Sequence, residues 1–555
     1  MGSTFADAAR QAALRGAREA VVAAPGLAHR ELMRRVKTLV SVALAAPEDA
    51  PAGAVAAAEA LVAELAGLQS GSGLFEGGDN VQSPPDSAFT INDACDVHHL
   101  LRDADAALVP LREALGAVIR AAAPALLAGG VHTPNHRWEL SAALARIHRS
   151  FPDDRLVARV DEWLAEGVDI DADGWFSERS PNYAAAVSIP SLTAIADILD
   201  RPALRAAVLR NLELTLSLIG ADGSVETLAS RRQDQGTRFP LGRYAVAFRR
   251  AAIETVRGDL AWAAERAVRD GVDDAGVLAE LLLDPSLADA LPPSEAPAFP
   301  ETIVHSTVAL AVRRGSAAEV VVYGGSDYAR HRRIRSGLAN DPTFLRLLAG
   351  EAVLDSVRVS RTFFGLGPFR AEGLEAAADG SLLLGERAAA GYYQPLPAER
   401  RDAGGDYALT DDGRFSAAMA FGERAVDEVE LRTTIAVRPR DDGADLDVAI
   451  EGPRVGFSLE LAFRTGGALD VPGPRPEDGA FVLTGPIARY TAGGDAIRVE
   501  VDGLDPVAQP IAYTPGEDYA YLGGTDQADG VRLLIGGATP ARFRLRLRAE
   551  RGAAS

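Results

Sequence analysis

Three stretches of this 555-residue chain gather side chains able to move protons or hold a carboxylate. The first, HTPNHRWELSAALARIH, sets Asn135 and His136 just before a helix, with Glu139 three residues on. Loop residues at the mouth of a helical scaffold are well placed for catalysis. The spacing would let the Glu139 carboxylate orient the His136 ring on the helix's first turn. A plainer reading makes Asn135 an N-cap and His136 a surface side chain. The second stretch, DIDADGWFSERSPNYAAAVSIPSL, places Glu178, Arg179, Asn182 and Tyr183 at the start of an apolar helix. Tyr183 is there either an amphipathic packer or, with cations close by, a general base. The third, SRRQDQGTRFPLGRY, is a basic, amide-bearing loop with Arg231, Arg232, Gln233, Arg238 and Arg243. Arginine forks suit carboxylate or sulfate, and a solvated charged loop is the alternative.

Other signals are weaker. The run Asp169-x-Asp171-x-Asp173-Gly174 resembles the front of a calcium loop, but its twelfth position is Ser180, so a turn in which the aspartates accept backbone N–H groups is expected. DYARHRRIRSGLANDPTF surrounds His331 with Arg330, Arg332, Arg333 and Arg335 and is the most basic short segment of the chain. Cys95, His98 and His99 lack distant partners for a zinc site. No GxSxG elbow and no GxxxxGK[ST] phosphate loop occurs. Neither a metal nor a cofactor is expected.

The elements that must position these residues differ between the two halves. Apolar residues recur at three- and four-residue intervals from about Phe5 to Asp289, in segments such as ALVAELAGL and RLVARVDEWLAEG, which predicts ten or eleven helices. LPPSEAPAFPET then reads as a linker. Beyond it, EVELRTTIAVRP, GFSLELAFR and ARFRLRLRAE alternate with period two, which predicts an antiparallel β-sandwich. The last of these turns Phe543, Leu545 and Leu547 inward and is expected to end the sheet. The predicted organisation is a helical domain over 1–290, a linker over 291–302 and a β-domain over 303–555.

Composition narrows the partners. Hydrophobic residues make up 47% and charged residues 24%, as in globular proteins, and the net charge is −21. That charge argues against nucleic acid or an anionic membrane as the main partner, so an acidic ligand would need a local basic cleft. The single cysteine excludes an internal disulfide framework. The N-terminus has no basic patch followed by an apolar core, and no apolar run approaches the roughly 20 residues needed to span a bilayer. A cytoplasmic location is expected.

The order of parts resembles the heparinase II/III-like and related alginate lyases, in which an incomplete (α/α) toroid precedes an antiparallel β-sandwich. The matching residues are the Asn135-His136 pair, Glu139, and Tyr183 in the segment DG…E.S..Y, 47 residues beyond His136. The resemblance implies β-elimination on a uronate-containing oligosaccharide or polysaccharide. Asn135 and His136 would bind the carboxylate, Tyr183 would act as base, and Glu139 would orient His136. Arg179, Asn182, Arg231, Arg232, Gln233, Arg238 and His331 would contact the sugar acid. The chain departs from that pattern in lacking a histidine-rich metal motif in the β half, where only His305 and His331 occur. Two other functions remain open. One is a glycoside hydrolase using paired carboxylates from Asp169, Asp171, Asp173, Glu178 and Asp234. The other is a non-catalytic carbohydrate-binding protein.

Overall fold

The computed structural model describes residues 4–78, 80–407, 409–411, 416–471, 480–504, 518–519, 524–525 and 528–552. The chain divides into two compact units. The first comprises residues 1–219, 223–225 and 239–298, and the second comprises 220–222, 226–238 and 299–555.

The first unit is helical: α1 (Phe5–Ala20), α2 (His29–Ala45), α3 (Ala54–Gly67), α4 (Pro84–Leu100), α5 (Val109–Ala128), α6 (Pro134–Ser150), α7 (Asp154–Leu164), α8 (Ile189–Leu199), α9 (Pro202–Leu218), α10 (Ala245–Thr255), α11 (Gly258–Asp270) and α12 (Val277–Leu283). Burial alternates along this order. Helices α2, α4 and α6 are buried over most of their length, whereas α3 and α7 bury one stripe each. The buried helices pack on one another, α2 on α4, α4 on α6 and α6 on α8. The others back them from outside, α3 on α2, α5 on α4 and α7 on α6. Two concentric layers of this kind make the predicted helical toroid. Helix α6 can serve in the inner layer because Ala142, Ala143 and Ala145 bring its backbone close to both neighbours while Trp138 and Leu144 fill the space between.

One expectation about this half is corrected. A continuous helical run, Pro181–Leu199, is by length and composition apolar enough to cross a membrane. Its Ile189, Leu192, Ile195 and Ala196 are buried and it packs on α6 and α9, which gives its apolar character a place in the core.

The second unit is a sandwich. Its strands are β1 (Thr302–His305), β2 (Leu310–Arg314), β3 (Glu319–Tyr323), β4 (Leu345–Ala349), β5 (Ala352–Arg361), β6 (Leu374–Ala376), β7 (Leu382–Tyr393), β8 (Val426–Arg440), β9 (Gly443–Glu451), β10 (Gly456–Phe463), β11 (Ala468–Asp470), β12 (Ala480–Val482), β13 (Ile487–Ala492), β14 (Asp495–Asp502), β15 (Val531–Ala538) and β16 (Ala541–Glu550). One sheet runs β11-β13-β14-β16-β9-β8-β7-β6 and the other β12-β15-β10-β5-β4-β3-β2-β1. Their inner faces share one core, with Val357, Leu459 and Leu461 meeting Ile435, Leu446 and Leu545. Pairing within both large sheets is antiparallel except for the edge pair β12–β15, which is parallel. The inward register predicted for β16 holds, with Phe543, Leu545 and Leu547 buried. Its expected place at the end of a sheet does not: β16 lies between β14 and β9. Its outward arginines are tolerated there because acids oppose them across the sheet, as Arg544 Nε does Asp447 Oδ1 at 2.7 Å.

Candidate active site

Helix α6 starts two residues earlier than the plain reading of its sequence requires. Thr133 is the N-cap residue and Pro134 the first helical residue, so Asn135 and His136 belong to the first turn. Both are buried, at 2% and 8% relative exposure, which excludes the N-cap and surface reading. The Thr133 hydroxyl does not cap the helix. Instead its Oγ1 donates to Asn135 Oδ1 at 2.6 Å, which fixes the side-chain amide. Asn135 Nδ2 is thereby left as a buried donor with no hydrogen-bond partner among the described residues. Such an N–H is costly unless an acceptor arrives. It lies in the first turn of a 17-residue helix, where the backbone dipoles favour an anion. The His136 ring meets His132 edge-on at 4.6 Å and Phe89 at 6.4 Å. Arg30 lies over the other ring of that second pair, 4.0 Å from the Phe89 centroid, and pairs with Asp86.

Glu139 is one turn along and fully enclosed. Its Oε1 accepts from Asn92 Nδ2 at 2.7 Å and its Oε2 from Ser191 Oγ at 3.0 Å. Burial raises its pKa above the ordinary glutamate range, partly offset by Asn92 and Arg146. Its observed bonds thus tie α6 to α4 and α8. Asn92 Oδ1 in turn accepts from Arg146 Nη1 at 3.1 Å. Arg146 Nε and Arg149 Nη2 each reach Asp96 Oδ1 at 2.9 Å. Burial acts to raise the Asp96 pKa, but Arg146, Lys37 and Arg149 outweigh it and hold the carboxyl below its usual range. The catalytic candidates therefore stand on a floor of enclosed, partnered charge.

Tyr183 is carried by the next loop and helix. Asp169 joins that loop to α6 by accepting from Trp138 Nε1 at 2.9 Å, from Arg137 Nη2 at 3.3 Å and from the Ser177 hydroxyl. Asp171 Oδ1 accepts the backbone N–H groups of Asp173, Gly174 and Trp175, so the acidic run is built as a turn. Among the described residues no group of three or more His, Cys, Asp or Glu side chains is placed to hold a metal ion. Gly174 has φ +102° and its missing side chain admits the Arg210 carbonyl, which a Cβ would approach to 2.7 Å. Arg179 takes the left-handed conformation at φ +53°, a strained backbone for arginine. Ser180 then caps the short helical turn Pro181–Tyr183 through Tyr183 N–H at 3.1 Å. A π-helical turn, Ala184–Ser188, follows directly and packs on α6. Such turns break helical register and recur at functional sites. Tyr183 is half-buried, Arg179 is half-buried and Asn182 is exposed.

The remaining predicted contacts lie in the second unit. Segment 226–238 leaves the helical half and packs with the β half. Arg231 grips Asp327 with two bonds, of 2.8 and 3.0 Å. Gln235 Oε1 accepts from Asn340 N–H at 2.9 Å and Asp341 N–H at 3.0 Å. Glu226 Oε1 accepts from the enclosed Arg346 at 2.7 Å. Arg238 donates to Asp222 O at 3.2 Å, Arg232 is half-buried, and Gln233 and His331 are exposed. Two basic clusters read separately in the sequence are thus one structure. Reading the sequence missed Thr133, His132, Asn92, Ser191, Gln235 and Asp327. The Thr-Pro dipeptide before α6 is a helix-start signal that could have given Thr133.

No family model matches the sequence, and no curated protein matches it. Solved structures do. Heparinase III is similar over 95% of this chain and 77% of its own, with 11% identity and a TM-score of 0.57. The chondroitin AC lyase of Streptomyces coelicolor A3 is similar over 100% of this chain and 78% of its own, with 14% identity and a TM-score of 0.54. A Paenibacillus xanthan lyase gives 99%, 57%, 11% and 0.54 for the same quantities. At these identities the likeness is one of fold: a helical unit followed by antiparallel β-sheets, as in polysaccharide lyases.

Proposed function

We propose that this chain is a polysaccharide lyase that cleaves a uronate-containing glycan by β-elimination, with its chemistry in the helical unit. The observation that carries the proposal is Asn135 Nδ2, an enclosed donor oriented by Thr133, without an acceptor, in the first turn of a helix. A carboxylate is the ligand that such a donor and such a helix end favour together.

In the proposed reaction the uronate carboxylate lies against Asn135 and His136. Loss of the C5 proton moves negative charge onto that carboxylate, and donors fixed beforehand stabilise this charge without reorganising. Tyr183 Oη, deprotonated, takes the C5 proton. The C4–O bond breaks, its electron pair leaves with the oxygen, and that oxygen takes a proton from Tyr183 or His136. The products are a new chain end and a sugar with a C4–C5 double bond. Arg179 and Asn182, on the segment that carries Tyr183, are the proposed sugar contacts of this unit. Paired-carboxylate hydrolysis has less support, since Asp169 and Asp171 are engaged in bonds that build the loop.

The test is near-ultraviolet absorbance during incubation with a panel of uronate oligosaccharides, for the wild type and for Tyr183→Phe. A rise that Tyr183→Phe abolishes is the expected result. New reducing ends without any rise would overturn elimination in favour of hydrolysis.

A further inference from the structure

The chain's most basic segment is held rigidly at its base and carries unpaired cations at its tip, a combination the elimination chemistry does not use. It connects β3 to β4. Its two ends are joined where Asp327 N–H donates to Ala339 O and Ala339 N–H to Asp327 Oδ2, each at 2.8 Å. Asp327 is buried and is also the acid gripped by Arg231, so segment 226–238 braces the base. Gln235 braces the same base from its other side through Asn340 and Asp341. Arg370 Nε donates to Asn340 O at 2.8 Å while its guanidinium covers the Tyr328 ring at 4.7 Å.

Beyond this base Arg330, His331, Arg333 and Arg335 are exposed, and their side chains make no ion pair among the described residues. Neighbouring acids are already engaged. Asp327 holds Arg231, Asp341 holds Arg358 at 3.3 Å, and Glu372 holds Arg332 at 3.1 Å. Three arginines without an ion pair within six residues, Arg330, Arg333 and Arg335, stand out in a protein of net charge −21, in which strand arginines of this unit such as Arg438, Arg489, Arg544 and Arg548 are paired across the sheet. The loop pays the cost of self-repulsion with no internal partner to relieve it, and a fixed base lowers the entropy lost when an external anion binds.

We propose that this loop is a binding site for a densely anionic glycan, with Arg330, Arg333 and Arg335 taking its sulfate or carboxylate groups through two-pronged hydrogen bonds. Arginine's planar fork matches both oxyanions. A glycan fits better than a nucleic acid. The loop exposes no phenylalanine, tyrosine or tryptophan ring for base stacking, its half-buried Tyr328 lying beneath Arg370, and the acidic remainder of the protein would repel a long duplex. The choice of a glycan among polyanions rests on the elimination reading, but the site is tested by binding alone.

The experiment uses the full chain carrying Tyr183→Phe, so that no turnover consumes the probe. Calorimetry measures affinity for a heparin oligosaccharide, an oligogalacturonate and a DNA duplex of matched charge, over a series of salt concentrations. Arg330→Ser/Arg333→Ser/Arg335→Ser is compared with Arg15→Ser/Arg18→Ser/Arg269→Ser, which removes equal charge from exposed helical positions. The loop variant should bind at least about tenfold more weakly and with a flatter salt dependence, while the control binds as the parent does. Loss with heparin alone assigns sulfate, and loss with both glycans assigns the oxyanion in general. All three loop positions are exposed, so thermal unfolding should be unchanged. The proposal is overturned if neither glycan binds, if the loop variant binds like the control, or if the duplex binds as tightly as the glycans. Absorbance assays of the wild type decide elimination separately, so the two proposals can fail independently.

Discussion

Replacing Asn135 tests the proposed chemistry where its physical basis is narrowest. In Asn135→Ala the first turn of α6 keeps its backbone and Pro134, and the Nδ2 donor that lacks an acceptor among the described residues is lost. A buried donor aimed at developing charge contributes about 2.7–4 kcal/mol to the transition state, so kcat should fall by about 100- to 1,000-fold. The upper part of that range is expected, because the 2% exposure of Asn135 leaves little water to substitute for the amide. KM should change less than kcat, since charge on the carboxylate grows as the C5 proton leaves. Asn135→Asp separates folding from function. Thr133 Oγ1 can donate to the new carboxylate as it does to the amide, and the first turn of a helix favours an acid. That variant should therefore unfold within a few degrees of the wild type, yet lose more activity than Asn135→Ala, because its charge opposes the substrate's. The assay is the initial rate of near-ultraviolet absorbance on the best uronate substrate, alongside thermal unfolding. A loss below about 1 kcal/mol in Asn135→Ala, roughly fivefold in kcat, would refute the assignment of this amide to the carboxylate.

Other consequences concern the floor of the site and the bracing of the second unit. Glu139→Ala leaves Ser191 Oγ facing a cavity and Asn92 Nδ2 with only the residue-139 backbone carbonyl, and should cost about 2–4 kcal/mol by thermal unfolding. Glu139→Gln keeps an acceptor for Asn92 and removes a carboxyl whose pKa burial raises. A raised carboxyl costs the fold stability progressively as pH climbs from its unfolded-state pKa to its folded one, so this variant should match the wild type in acid and equal or exceed it at neutral pH. Asp96→Ala abandons the enclosed Arg146 and the half-buried Arg149 and should cost about 3–5 kcal/mol. The folded Asp96 pKa lies below the ordinary value, so its contribution is present above that value and is lost as pH falls through the folded one. Asp96→Asn should accordingly flatten the acid limb of the unfolding profile. Asp327→Ala removes both bonds from Arg231 and one from the Ala339 N–H, so trypsin should cut at Arg330–Arg335 faster than in the wild type while thermal unfolding of the helical unit is unchanged.

What the sequence disclosed and what it withheld divide along the range of the interactions. Period-two alternation placed Phe543, Leu545 and Leu547 inward because burial on one sheet face is local information. The position of that strand between β14 and β9 depends on partners roughly 50 and 100 residues away, which alternation does not encode. The same division runs through the site. Asn135, His136 and Tyr183 were legible because polar residues interrupt apolar helical patterns at those points. Asn92, which holds Glu139 from 47 residues away, has no local signature, since an asparagine within a helix reads as surface until its partner is known. Gln235 and Asp327 were hidden for a related reason. The sequence offers Gln233 and Gln235 equally, and only the register of the loop against Asn340, 105 residues on, selects the second. Likewise Asp327 reads as one acid ahead of a basic run, although it is the anchor that Arg231 reaches across 96 residues.

The long-range bonds also explain why the arginines could not be sorted by composition. Arg231, Arg238 and Arg332 carry the same charge as Arg330, Arg333 and Arg335, yet the first three each have an acidic side chain within 4 Å. Charge density in sequence counts both kinds alike, whereas affinity for an external anion depends on what remains after internal pairing. The proposed glycan loop is identified by that remainder. In the helical unit the same reasoning selects Asn135, whose amide oxygen is satisfied internally and whose N–H is not. In both units, then, the functional assignment rests on hydrogen-bonding or charge capacity that folding leaves unused, which is the quantity a ligand can bind.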